Sequence, residues 1–254
     1  MDITTNIKSG FNQTPPTPPL TKGRIKVGSI LYIVAGPIGN LSDISLRALE
    51  TIKSSDLVVA EDTRVTRKLL NHYRIDKPLL SLRERSSDKV LSDLIDNMAR
   101  GREGFKSVAY LTDAGTPGVS DPGGKLVAAA RQKDINIVPL PGPSALTTIL
   151  QISGINTKNR VLFLGFLPKK KGRKTLFNWL KTNPLPVVIF EDKHRITKTL
   201  NDFSSIWGDE AQVVIGRELT KKFEQILVGN IKTVSNQLSS KSLKGEFTIL
   251  IVPW

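Results

Sequence analysis

Between residues 107 and 131 the chain runs from an apolar stretch, SVAYL, through a turn made almost wholly of Asp, Gly, Thr, Ser and Pro, into a second apolar stretch. Short apolar runs bounded by turn residues read as buried strands, and the longer amphipathic run that follows reads as a helix. The same unit recurs. Strand candidates fall at 30–35, 57–60, 79–82, 107–111 and 135–140, with helix candidates at 42–54, 64–73, 89–99, 122–132 and 144–153 between them. In the third helix Val90, Leu91, Leu94, Ile95 and Met98 share one face at helical spacing. Strictly alternating strands and helices predict a mostly parallel sheet covered on both sides.

A linker at 156–159 is followed by a different rhythm. Strands are expected at 161–165, 187–190, 213–216, 223–228 and 247–252, with helices at 175–181, 197–203 and 234–238. Two of these strands follow each other with no helix between, which predicts a mixed sheet. The expected architecture is therefore α/β, with an N-terminal domain over 28–156 and a C-terminal domain over 157–254. Residues 1–27 contain TPPTPP and no core period, and read as a loosely packed tail. In open α/β sheets, ligands lie outside the carboxyl ends of strands, so the loops there carry the functional reading.

The chain has no cysteine, which excludes a disulfide framework, a Cys-ligated zinc site and a thiol nucleophile. No apolar run approaches membrane-spanning length, and the expectation is a soluble cytoplasmic protein. Thirty-seven basic residues against 23 acidic ones give a net charge of +14. That excess favours a polyanionic partner, nucleic acid being the commonest, over a basic proteome as its bland explanation.

Five groups of loop residues stand out. The loop 35–41 (AGPIGNL) allows a tight turn and helix capping, but it lacks the spacing of a dinucleotide or P-loop fingerprint. Glu61, Asp62 and Arg64 cluster at the second strand's tip, either as ligand contacts or as a salt bridge that starts the next helix. Asp113 and Asp121 flank the long loop. In 140–145 (LPGPSA) Ser144 reads as a helix cap beside free N–H groups that can hold a carboxylate. Residues 190–195 and 216–224 carry charge at the ends of buried strands. Separately, Lys169, Lys170, Lys171, Arg173 and Lys174 place five cations within residues 168–174, either binding phosphates or forming a solvated loop.

Taken together and in order, these stretches resemble the tetrapyrrole-methylase-like (class III) S-adenosylmethionine methyltransferases. Within them, the chain is similar to the group that methylates the 2'-oxygen of a cytidine in 16S rRNA. The matching segments are 31–44, AEDTR at 60–64, TDAGTPGVSDPG at 112–123, VPLPGPSA at 138–145, GFLP at 165–168, HR at 194–195, RELTK at 217–221 and KGE at 244–246. The resemblance implies a two-domain fold holding S-adenosylmethionine in an interdomain cleft, a homodimer, and 16S rRNA of the small ribosomal subunit as partner. It assigns cofactor contacts to Pro37, Asp113, Thr116, Ser144, Ala145, Glu191, Gly216 and Gly245, and implies that loss of the Asp113 carboxylate weakens cofactor binding. Candidates for activating the ribose hydroxyl are Glu61, Asp62, Glu218 and Glu224, with Arg64 and Lys221 as electrostatic partners. The 61–64 and 218–221 loops are expected to face each other across the cleft. The family's usual His-rich stretch after the third strand reads LSLRERSS at 80–87 here, and its first loop reads Ala35-Gly-Pro37; the first departure bears on substrate contacts around 83–86. Two other readings stay open at this point: a methyltransferase acting on a tetrapyrrole, and an RNA-binding relative that has lost activity.

Overall fold

The computed structural model describes residues 28–83, 88–100, 103–119, 123–239 and 244–254. The tail 1–27, Asp121 and the stretch 84–87 lie outside them.

The first five strands are β1 (Ile30–Val34), β2 (Leu57–Ala60), β3 (Leu79–Ser81), β4 (Ser107–Leu111) and β5 (Asn136–Leu140). They form one sheet in the order β3-β2-β4-β1-β5, with every pairing parallel. The helices α1 (Leu46–Ser54), α2 (Thr63–His72), α3 (Asp88–Ala99) and α4 (Gly123–Gln132) alternate with the strands, as the sequence pattern predicts. Leu31, Val59, Val108 and Tyr110 pack with Leu94, Ile95 and Met98 of α3 and Leu126 of α4. The alternate residues Val58, Ala109 and Leu111 point the other way and are equally buried. A strand buried on both faces has no polar alternation, which is why these segments read as continuous apolar runs.

The helix expected over 42–54 is divided. A 3-10 turn occupies Leu41–Asp43, and α1 starts only at Leu46. Two side-chain caps cause the break: Asn40 accepts from the Ser42 N–H, and Ser45 accepts from the Ala48 N–H.

The second sheet contains β6 (Leu162–Phe166), β7 (Val187–Asp192), β8 (Gln212–Arg217), β9 (Gln225–Asn230) and β10 (Glu246–Val252), in the order β6-β7-β10-β8-β9. Only β6 and β7 run parallel; the other pairings are antiparallel, and β8–β9 is the helix-free succession expected from sequence. Helices α6 (Arg173–Thr182), α7 (Ile196–Trp207) and α8 (Ile231–Ser239) cover the face that carries Ile189, Ile215 and Ile249. Helix α5 (Ala145–Ser153) covers the other face, where Ile149 packs on Val188, Val214 and Leu250.

The described chain groups into two compact units that interleave in sequence. The second unit contains Pro141–Trp254 and also the loops Ala35–Ile44 and Thr112–Pro122. Helix α5, read from sequence with the first half, therefore belongs with the second sheet. Its apolar side is spent on β8 and β10.

Candidate functional site

Three Gly/Pro loops of the second unit, following β1, β4 and β5 in the chain, are stitched to one another. The Gly36 N–H donates to the Gly115 carbonyl at 3.0 Å, and the Gly115 N–H donates to the Pro37 carbonyl at 3.2 Å. The Thr116 hydroxyl donates to the Pro143 carbonyl at 2.9 Å. Gly115 has φ of 77°, and a Cβ there would lie 3.0 Å from the Ile38 side chain. Glycine is thus required both by the backbone conformation and by the close approach.

These loops form one wall of a cavity of about 200 Å³. Ile38, Gly115, Thr116, Val119, Ser144 and Ala145 line that wall; Phe166, Phe190, Glu191, Glu246 and Thr248 close it from β6, β7 and β10. Small residues dominate one side, aromatic and acidic residues the other. Such a surface can hold a ligand with a flat apolar part and several hydrogen-bonding groups. Of the cofactor contacts expected from sequence, Thr116, Ser144, Ala145 and Glu191 line the cavity. Pro37, Asp113 and Gly245 immediately precede lining residues, and Gly216 sits opposite Thr248 in the β8–β10 pairing.

The Ser144 hydroxyl makes no capping hydrogen bond, although Ser144 occupies the N-cap of α5. Its carbonyl instead takes the Thr147 and Thr148 hydroxyls. The structural task assigned to this side chain from sequence falls away, and Ser144 lines the cavity.

Glu191 is 1% exposed and fully engaged. Its carboxylate accepts from the Asp192 N–H at 3.0 Å and the Thr199 hydroxyl at 2.7 Å, and pairs with Arg195 at 3.2 Å. Arg195 in turn donates to the Leu167 carbonyl at 2.6 Å. A buried carboxylate held this way is fixed in position, and it braces the cavity wall around it.

Beside the cavity, the turn 218–224 carries the second charged cluster. Lys221 Nζ bridges Glu218 at 3.0 Å and Glu246 at 2.8 Å, and the Glu246 N–H donates to Glu218 at 2.9 Å. Burial pushes the Glu218 carboxyl up, but the Glu246 N–H and the Lys221 ammonium outweigh it and hold it below the usual range. Burial likewise pulls Lys221 down, and the two carboxylates more than offset it, so its pKa is raised. Glu218 and Thr220 both have positive φ, 50° and 63°. The Thr220 N–H is held by Glu224 at 2.6 Å, and its hydroxyl accepts from the Asn40 N–H at 3.2 Å. This turn occupies residues that the sequence assigned to a strand starting at 223; β9 begins at Gln225 instead.

In the first unit Asp62 is the N-cap of α2. It accepts from the Arg64 N–H at 2.9 Å and pairs with the Arg64 guanidinium; Arg83 stands 3.7 Å away. The Arg64 hydrogen bonds hold the Asp62 carboxyl far below its ordinary range. The Glu61 N–H donates to the Leu111 carbonyl at 3.2 Å. Arg83 was not singled out from sequence as a partner of this cluster. It belongs to the stretch that departs from the family pattern.

The basic segment splits into two kinds of residue. Lys169, Lys170, Lys171 and Lys174 are exposed. Arg173 is 7% exposed and directed inward, donating to Asp202, Thr199 and the Pro168 carbonyl. Residues of the cavity wall that sequence reasoning did not name as contacts include Ile38, Val119, Phe166, Phe190, Glu246 and Thr248. Ile38, Val119, Phe166 and Glu246 fall inside family-like segments. Phe190 and Thr248 become neighbours only through the β7–β10 register, which pairs them directly.

Comparison with known proteins places these features in a family. Residues 30–235 match the model of the tetrapyrrole (corrin/porphyrin) methylases. The ribosomal RNA small subunit methyltransferase I of Xylella fastidiosa is 42% identical over 224 residues, covering 87% of this chain and 80% of that protein. The protein of the same name from Thermotoga maritima is 42% identical over 221 residues, covering 87% of this chain and 97% of that protein. Among solved structures, a cobalt precorrin-4 methyltransferase of cobalamin biosynthesis superposes with a TM-score of 0.67 at 17% identity, covering 88% of this chain and 94% of that one. That last likeness bears on the fold alone.

Proposed function

The chain belongs to the tetrapyrrole methylase family, and from that premise we propose that it is an S-adenosylmethionine-dependent methyltransferase that modifies the 2'-oxygen of a cytidine ribose in the 16S rRNA of the small ribosomal subunit, in the cytoplasm. The observation that carries the reading is the loop-built cavity, with Thr116, Ser144, Ala145 and Glu191 on its wall, in a chain 42% identical to rRNA methyltransferases over most of its length.

The residues present fit the cofactor. Glycine at 115 lets the loops that build the wall close on one another with no side chain between them. Phe166 and Phe190 offer aromatic surface, Ser144 and Thr116 bring polar residues to the wall, and the fully buried Glu191 carboxylate braces it from behind. When bound, S-adenosylmethionine supplies an electrophilic methyl group. The chain then has to align the acceptor hydroxyl with it and exclude water.

A ribose hydroxyl is a poor nucleophile, and carboxylates of depressed pKa are weak bases. Asp62 and Glu218 are both of that kind. We assign Glu218, with Lys221 beside it, to holding and polarising the acceptor ribose rather than to complete proton removal; Asp62 with Arg64 stays a candidate for that step. Lys221 stays an ammonium ion and contributes charge. Glu61 and Glu224 remain in the set of groups that can accept a hydrogen bond from the hydroxyl. A homodimer is part of the same reading: exposed Ile226 and Val228 on the edge strand β9, with Phe223 in the turn before it, supply an apolar face for it.

The test is transfer of labelled methyl from S-adenosylmethionine to small ribosomal subunits, with nuclease mapping of the product. The expected result is label on the ribose of one cytidine in 16S rRNA. Label in a tetrapyrrole and none in RNA, or cofactor binding with no transfer to either, would overturn the proposal.

A further inference from the structure

A second cavity, of about 450 Å³, lies between α6 and α7. Lys169, Lys170, Lys174 and Lys198 line it together with Arg173 and Asp202, over an apolar floor that includes Phe177 and Ile206. We propose that this cavity docks the phosphodiester backbone of the RNA substrate and fixes its register relative to the methyl-donor cavity; the proposal rests on the reading of the chain as an rRNA methyltransferase.

The charges sort into two roles. Arg173 is the only guanidinium in the cavity wall among the described residues, and it is already spent. Its Nε donates to Asp202 at 2.8 Å and its Nη2 pairs with the same carboxylate at 2.7 Å; Nη2 donates to the Thr199 hydroxyl at 3.0 Å, and Nη1 donates to the Pro168 carbonyl at 3.2 Å. Asp202 neutralises it. What remains toward solvent is four lysines, and Lys198, 66% exposed, stands 3.5 Å from the same carboxylate. A dedicated site for a small phosphate would present a free, planar fork of donors. Flexible ammonium groups spread around an open cavity suit a chain of phosphates contacted without regard to sequence.

The buried side of the same cavity leads to the other one. The Thr199 hydroxyl accepts from Arg173 and donates to Glu191 at 2.7 Å, and Glu191 lines the methyl-donor cavity. Arg195 joins Glu191 to the Leu167 carbonyl. Both ends of the segment 167–173 are therefore tethered, through Arg195 and Arg173, to a single buried carboxylate. Lysines 169 and 170 sit within that tethered segment, and Lys174 follows it directly. A phosphate held there is held at a defined place relative to Glu191. Arg173 acts as a positioning residue and makes no contact with RNA.

The experiment measures binding of purified small ribosomal subunits to the full-length protein across a salt series, for the wild type and for Lys174→Gln/Lys198→Gln. A Lys53→Gln variant, exposed on α1, is the control. The double variant is expected to bind subunits about tenfold more weakly near physiological salt, with a salt slope shallower by about one to two. Its S-adenosylmethionine affinity by calorimetry stays unchanged, which also shows that it is folded. Subunit affinity and salt slope equal to the wild type would overturn the docking site. So would lysine-dependent binding of inorganic pyrophosphate with subunit binding unaffected, because the cavity would then serve a small phosphate ligand. Binding is read separately from transfer. Wild-type protein that binds subunits through these lysines without labelling them would defeat the catalytic reading and leave the docking site standing.

Discussion

Glu218, Lys221 and Glu246 form a charge triad in a turn whose backbone is strained at two side-chain-bearing residues. Positive φ at Glu218 and at the β-branched Thr220 costs of order 1–3 kcal/mol each, and such strain persists where surrounding contacts over-determine it. The Lys221 bridges and the Glu224 contact to the Thr220 N–H are those restraints. Their pH dependence follows from the direction of each shift. Glu218 has a depressed pKa, so its contribution to stability is present above the ordinary glutamate value and is lost as pH falls through the folded value. Lys221 has a raised pKa, so its contribution is present below the ordinary lysine value and is lost only as pH rises through the folded value. Around neutrality both are in force. Glu218→Gln is expected to lower the melting temperature near pH 7 and to flatten its decline in acid. It should lower kcat by about tenfold or more while leaving S-adenosylmethionine affinity intact. An unchanged kcat would remove Glu218 from the reaction. The Ser144 hydroxyl and Arg173 teach the complementary lesson at this scale. Side-chain type and spacing suggested a cap for one and an RNA contact for the other. Only the directions of neighbouring groups, which sequence does not encode locally, show the first unused as a cap and the second turned inward.

The elements themselves were largely legible, for a physical reason. Strands buried on both faces read as apolar runs, and most end at Gly, Pro or Asp residues that mark turns. The parallel first sheet, the mixed second sheet and the helix-free β8–β9 step all follow from that punctuation. What stayed hidden was pairing between elements far apart in sequence. Phe190 meets Thr248 because β7 and β10 run antiparallel in one particular register, and no local pattern specifies it. Loop-to-loop stitching was hidden in the same way: Gly115 joins Gly36, Pro37 and the Ile38 side chain across nearly eighty residues of chain. This joint yields a sharp prediction. Gly115→Ala places a Cβ in a left-handed conformation, at a cost of about 1–2 kcal/mol, and against Ile38 at 3.0 Å. It is expected to reduce S-adenosylmethionine affinity by about tenfold or more, measured by calorimetry, with the far-ultraviolet dichroism of the fold retained. Wild-type affinity in this variant would mean that the Gly115 loop does not form the cofactor wall.

At the scale of the whole molecule, the two units complete their sheets at very different points in the chain. The first sheet has its last strand, β5, by Leu140. The second is finished only by β10, the last strand, which lies in the middle of its sheet between β7 and β8. Without β10, β7 and β8 have no partner between them, and their backbone donors and acceptors on that side are left unpaired. Phe247, Ile249 and Ile251 leave the core that faces α6, α7 and α8, while Leu250 and Val252 leave the face under α5. Glu246 and Thr248 leave the cavity wall, and Lys221 loses one of its two carboxylates. Long-range strand insertion of this kind makes β10 a condition for the whole second sheet. A chain ending at Ser239 is therefore expected to lose the second unit's cooperative melting transition and all measurable S-adenosylmethionine binding. Adding back a synthetic peptide of residues 244–254 should not restore binding at micromolar concentration, because an isolated strand bears the full ordering cost of entering a central position. Retention of cofactor affinity by the truncated chain would show that the loops around Gly115 hold the ligand without β10, and the cavity wall would have to be redrawn.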